Sequence, residues 1–170
     1  MARRRRSRST ASSPGEAAPG NGPAEAMAAA VGYLAHAARS IAEVSQHLGR
    51  CGIDAELIAA TLRILAERGY VDDVALAARR AEELMLRRGC GRLKVAHELT
   101  RRGLTDTVID RAIAGVLEGL GEVALGRAAL TRRFGDERPA SRTERARAFR
   151  FLVGRGHPPD IVSEILGEDD

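Results

Sequence analysis

Leu99-Thr100-Arg101-Arg102-Gly103-Leu104-Thr105-Asp106-Thr107-Val108-Ile109-Asp110-Arg111-Ala112-Ile113 is one of three versions of a single pattern in this chain. An apolar residue is followed four positions later by Gly, five further on by an apolar pair, and four after that by another apolar residue. The other versions are Leu48, Gly52, Leu57, Ile58, Leu62 and Leu152, Gly156, Ile161, Val162, Leu166. The leading leucines stand 51 and 53 residues apart, so a unit of about 50 residues occurs three times, a period that signals a repeat architecture. Within the unit, a Leu ending one amphipathic stretch, a Gly and a new apolar stripe at helical spacing read as helix, turn, helix. Gly enters the left-handed conformation without a Cβ penalty and so closes a helix and redirects the chain within a few residues. Each Gly is followed by a helix-start signal: Asp54, then Thr105 and Asp106, then Pro158, Pro159 and Asp160.

Outward from these units, the segmentation predicts nine helices and no period-2 strand. The first unit has helices near 27–38, 40–50 and 54–69, the second 72–88, 91–102 and 105–119, the third 120–134, 141–154 and 158–167. Ser40 with Glu43 has the spacing of a capping box. Phe134 to Ala140 carries Gly135, Asp136 and Pro139 and reads as the clearest internal loop. The expected fold class is all-α: three tandem three-helix repeats in an elongated, curved molecule with a groove-like face, preceded by a disordered basic tail. The domains expected are 1–26 (tail), 27–70, 71–119 and 120–170.

Composition bounds the function. The chain has 170 residues, 44% apolar and 29% charged, enough to bury a core. No apolar run approaches the roughly 20 residues that cross a bilayer, and the Arg-rich start has no apolar stretch behind it. A cytoplasmic location is expected, with no membrane association. Five of the basic residues (Arg3, Arg4, Arg5, Arg6, Arg8) lie in the first eight positions; beyond residue 26 there are 22 basic and 21 acidic residues. The folded part is therefore near neutral, and any electrostatic role depends on how its charge is distributed. The tail has too few apolar residues to offset the entropy of ordering. Cys51 and Cys90 show no CxxC pairing and no His at ligand spacing, so free thiols are expected. His36, His47, His97 and His157 are expected on helix surfaces or turns.

For chemistry, the sequence has no P-loop, no GxSxG, no HExxH and no dinucleotide fingerprint. No catalytic residue, metal, cofactor or small-molecule substrate is expected, and three Phe, two Tyr and no Trp leave little for base stacking. Gly69-Tyr70-Val71-Asp72-Asp73 reads as a helix end, a Tyr packed under the turn and two acids at the next helix start. Gly52, Gly69, Gly103, Gly156, Asp72 and Asp73 are the structural motif residues. Between Arg79 and Arg102 lie Arg79, Arg80, Arg87, Arg88, Arg92, Lys94, Arg101 and Arg102 against Glu82, Glu83 and Glu98. This basic middle can neutralise phosphates or acidic side chains, or form a solvated face with pairs such as Glu83 with Arg87. Arg132, Arg133, Arg142, Arg145 and Arg147 make a second, weaker candidate.

Taken in order, several strings resemble the RecX family of bacterial regulators of the RecA recombinase. They are Tyr33-Leu34, Ser40 with Glu43, Gly69 to Asp73 with Leu76-Ala77, and Gly89, Gly91, Arg92, Leu93. Glu98-Leu99, Arg102-Gly103-Leu104 and Phe151-Leu152 with Arg155-Gly156 ahead of Ile161 complete the set. The resemblance spans about residues 27–167. Leu76 stands where the family usually has Phe, Arg102 where it often has Lys, and His157 where Phe is common. The resemblance implies a cytoplasmic, non-enzymatic protein of DNA repair, recombination and the SOS response. It would bind RecA and the RecA–DNA filament and inhibit recombinase, ATPase and coprotease activities. The basic middle would make the contact with RecA, and DNA could be touched directly. A stand-alone helical DNA-binding protein and a protein-only scaffold are the alternative readings.

Overall fold

The computed structural model describes residues 22–136 and 139–167; the part of the predicted tail at residues 1–21 lies outside the described residues. Among the described residues the chain forms nine α-helices and no strand. They are α1 Pro23–Leu34, α2 Ile41–Arg50, α3 Ala55–Glu67, α4 Asp73–Glu82, α5 Arg92–Arg101, α6 Asp106–Leu120, α7 Glu122–Phe134, α8 Arg142–Gly154 and α9 Pro159–Leu166. They group as three bundles, α1–α3, α4–α6 and α7–α9, each with its own apolar cluster. The architecture is the predicted row of three-helix repeats.

Local chemistry explains the boundaries. The residue after each repeat Gly donates its amide back to the carbonyl of the repeat Leu: Ile53 to Leu48 (3.2 Å), Leu104 to Leu99 (3.3 Å) and His157 to Leu152 (3.1 Å). This is the six-to-one bond of a Schellman turn, with the glycines at φ +78°, +76° and +84°. The three leucines have no exposed surface, so the residue that closes each turn also anchors its bundle. Ser40 and Glu43 form the expected capping box at α2, and Ser141 and Glu144 form a second one at α8.

Several details differ from expectation. Helix α1 starts at Pro23, inside the segment read as tail, because Pro is pre-set for the first helical turn and Ala26 is already fully buried in the first bundle. Tyr70 does not pack under its turn: it is 60% exposed, and Val71 takes the buried place. The helix expected over 72–88 leaves α geometry at Glu83–Arg87 for one π-helical turn, closed by the Arg88 amide on the Glu83 carbonyl. The wider turn buries the consecutive Leu84 and Met85 and presents the Leu86 and Arg87 carbonyls to Nη1 of Arg132 on α7, at 3.2 and 2.8 Å.

Both joints between bundles share one device. The turn between the second and third helices of a bundle docks on the start of the second helix of the bundle before it. At the first joint the Ser40 hydroxyl donates to the Arg102 carbonyl (2.6 Å), and the Arg102 guanidinium donates to the Ala38 carbonyl (2.9 Å) and to Glu43 (2.7 Å). At the second, the Gly91 amide donates to the Arg155 carbonyl (2.9 Å), the Leu93 amide to the Gly156 carbonyl (3.0 Å), and the Arg155 guanidinium to the Arg88 carbonyl. Asp72 caps α4 through the Ala75 amide, while the neighbouring Asp73 reaches across to the Ile41 amide at 2.9 Å.

Two glycine substitutions separate space from backbone conformation. A Cβ at Gly91 would collide with the Gly156 carbonyl and the His157 amide, although Gly91 itself has an ordinary φ of −79°. A Cβ at Gly52 meets nothing, and only its φ of +78° opposes a side chain. In denaturant unfolding G52A is expected to cost about 1 kcal/mol and G91A about 3 kcal/mol. Equal losses would contradict the joint geometry.

Candidate interaction surface

The eight cations of the basic middle divide into two groups. Arg80 bridges Glu83 (2.5 Å) and Glu98, tying α4 to α5. Arg88 pairs with Glu83 at 2.7 Å, so Glu83 serves Arg80 and Arg88 and not Arg87. Arg92 reaches Glu122 of the third bundle at 3.5 Å, and Arg102 reaches Glu43 of the first. Arg79, Arg87, Lys94 and Arg101 are exposed and have no ion pair among the described residues. The first four fasten the fold; the second four are available to a partner.

The protonation preferences follow the same division. Hydrogen bonding to Glu98 holds Arg80 more firmly charged than usual, against a smaller effect of burial. Burial pushes the Glu43 carboxyl up, but the Arg102 guanidinium and the Ser40 amide together outweigh it and hold it below the usual carboxylate range. The Arg80 guanidinium does the same to Glu83. Glu122 goes the other way: burial raises it more than Arg92 lowers it.

In the third bundle, Arg132 is occupied by carbonyls of the π turn, and Arg133 and Arg147 each sit 5.4 Å from the Phe134 ring centre. Arg142 and Arg145 remain exposed without an ion pair among the described residues, and Arg150, absent from the sequence-based candidates, joins them. The signal that finds it is the helical spacing of Arg142, Arg145, Phe149 and Arg150, which share a pocket with Ala140 and Ala146.

His157 is not a surface residue. It is 1% exposed at the second joint, with Nε2 3.3 Å from the Gly89 carbonyl and Nδ1 without a partner. Burial pushes its imidazole below its ordinary value, the Gly89 carbonyl opposes that shift and Arg155 adds to it. Cys51 is exposed and Cys90 buried, both as free thiols. Among the described residues no three His, Cys, Asp or Glu gather into a metal-binding group, and no helix is long and apolar enough to cross a membrane.

With this geometry in hand, comparison with known proteins resolves the family. Three family models match consecutive stretches: the RecX first three-helix domain over residues 26–65, the second over 72–113 and the third over 122–166. The chain belongs to the RecX family. The regulatory protein RecX of Halorhodospira halophila is 36% identical over 149 residues, covering 84% of this chain and 88% of that protein. The one from Pseudomonas syringae pv. tomato is 34% identical over 151 residues, covering 83% and 91%. The crystal structure of RecX from Lactobacillus salivarius has the same fold, with a TM-score of 0.72 at 19% identity over 86% of this chain and 95% of that one. The three RecX domain matches coincide with the three bundles, and each inter-bundle joint lies between two of them.

His157 gives a pH dependence with a definite sign. Its folded-state pKa lies below the unfolded value near 6.5, so its neutral form favours folding fully above that pH, and the contribution is lost as pH falls toward the folded value. Stability of the natural chain is expected to fall between pH 7 and 5 relative to H157F, measured by urea unfolding. Parallel curves would contradict the buried, neutral imidazole.

Proposed function

We propose that this chain is a non-enzymatic regulator of RecA: it binds RecA and the RecA–DNA filament and restrains filament growth. Recombinase, ATPase and coprotease activity in DNA repair, recombination and the SOS response fall as a consequence. The observation that carries the reading is membership of the RecX family across all three bundles. The place of action is the cytoplasm, where that filament forms. No cofactor is required.

The physical reading supports the same conclusion. A row of bundles, each fastened to the next by backbone-directed bonds, presents a long surface that can touch several subunits of a filament at once. Of the basic middle, Arg79, Arg87, Lys94 and Arg101 make the contact, because their charge is not already satisfied within the fold. Arg92 and Arg102 act at one remove, by holding neighbouring bundles in register, and Arg80 and Arg88 by pairing within the middle bundle.

The test is RecA's ATPase on single-stranded DNA with this protein well below one copy per RecA. The triple variant R79E, R87E, K94E is expected to raise the half-inhibitory concentration about tenfold, roughly 1.4 kcal/mol spread over three exposed charges, with unchanged circular dichroism. Deleting residues 1–21 leaves inhibition in place. Equal inhibition by the triple variant would remove these residues from the contact, and no inhibition by the natural chain would overturn the reading.

A further inference from the structure

We propose that the outer face of α8 in the third bundle binds the phosphate backbone of nucleic acid, a contact the chain makes without RecA. Arg142, Arg145, Ala146, Phe149 and Arg150 line one shallow, open concavity with Ala140. Among the described residues no acid lines it, and the three arginines are exposed and in no ion pair. That contrasts with Arg80, Arg88, Arg92 and Arg102, each of which meets a carboxylate.

The nearest acid on the helix does not neutralise the face. Oε2 of Glu144 accepts the amides of Ala140 and Ser141, both at 3.0 Å, and so is turned back over the helix start. Nε of Arg145 makes a long contact of 3.4 Å with the Pro139 carbonyl, leaving its terminal nitrogens free.

Residues at positions 142, 145, 146, 149 and 150 follow the i, i+3, i+4, i+7, i+8 rule, so they lie along one stripe. At 1.5 Å per residue the stripe is about 12 Å long. A strand of B-form duplex carries one charge every ~3.4 Å of helix axis, and its phosphates lie farther apart than that along the strand itself, so the stripe spans two to three successive phosphates. Guanidinium groups suit such a row because each can take two phosphate oxygens in a fixed fork. Ala146 keeps the centre of the stripe low, and half-buried Phe149 gives it an apolar floor against which a sugar or base can rest.

The experiment is fluorescence anisotropy of a labelled 30-nucleotide single-stranded DNA with the full chain and no RecA, between 50 and 200 mM salt. Against the natural chain, the triple variant R142A, R145A, R150A is expected to reduce the steepness of log affinity against log salt by about 2, three phosphates at ~0.7 each. The corresponding triple Lys variant retains the slope, as does R68A with R111A, two exposed arginines outside both basic surfaces, and R150A alone reduces it by about 0.7. The N-terminal arginines contribute equally to every variant. An unchanged slope in both Ala variants, no binding by the natural chain at 50 mM salt, or competition by polyglutamate as effective as by unlabelled DNA would each overturn the proposal. Because no RecA is present, these outcomes are separate from those of the ATPase assay.

Discussion

The structure depends on one contact made twice: an Arg-Gly turn seated on the start of a neighbouring helix. In both cases the carbonyl of the arginine is bound by the N-cap residue of the receiving helix, Ser40 through its hydroxyl and Gly91 through its amide. In both, the guanidinium reaches a carbonyl just before that helix, Ala38 or Arg88. The groups satisfied are those a helix start and a tight turn would otherwise leave to water. The three bundles each have a small core, and a small core is marginal alone. Coupling them through oriented hydrogen bonds fixes the angle between bundles as well as adding stability.

This joint also governs how charge is displayed. Arginine is the commonest charged residue type here, but many copies are structural: Arg102 and Arg155 at the joints, Arg80 between α4 and α5, Arg132 on the carbonyls freed by the π turn. The exposed arginines in no ion pair among the described residues are a smaller set, which includes Arg79, Arg87 and Arg101 in the middle bundle and Arg142, Arg145 and Arg150 on the outer face of α8 beside scattered ones such as Arg50, Arg68, Arg111 and Arg127.

The fold was legible in the sequence because its determinants are local. Leucine, glycine and helix-start residues at fixed offsets encode a Schellman turn that needs no tertiary help, and three copies made the count of bundles readable. Boundaries failed where tertiary packing decided them: burial of Ala26 extended α1 to Pro23, and the pull of the core on both Leu84 and Met85 opened the π turn. The basic middle was visible as composition, but not its division into bonded and free cations. Glu43 and Arg102 are 59 residues apart in sequence, and no helical spacing relates them. His157 looked like a turn residue and is one; its ring is buried between the Gly89 carbonyl of the middle bundle and Gly126 on α7 of its own.

The most direct test of the account is hydrogen exchange of this chain with and without the RecA filament on single-stranded DNA. The account predicts slowed exchange in the segments carrying Arg79, Arg87, Lys94 and Arg101, and in the first turns of α8, with α1 and α3 unchanged. Slowed exchange confined to the first bundle, or no change anywhere, would contradict it.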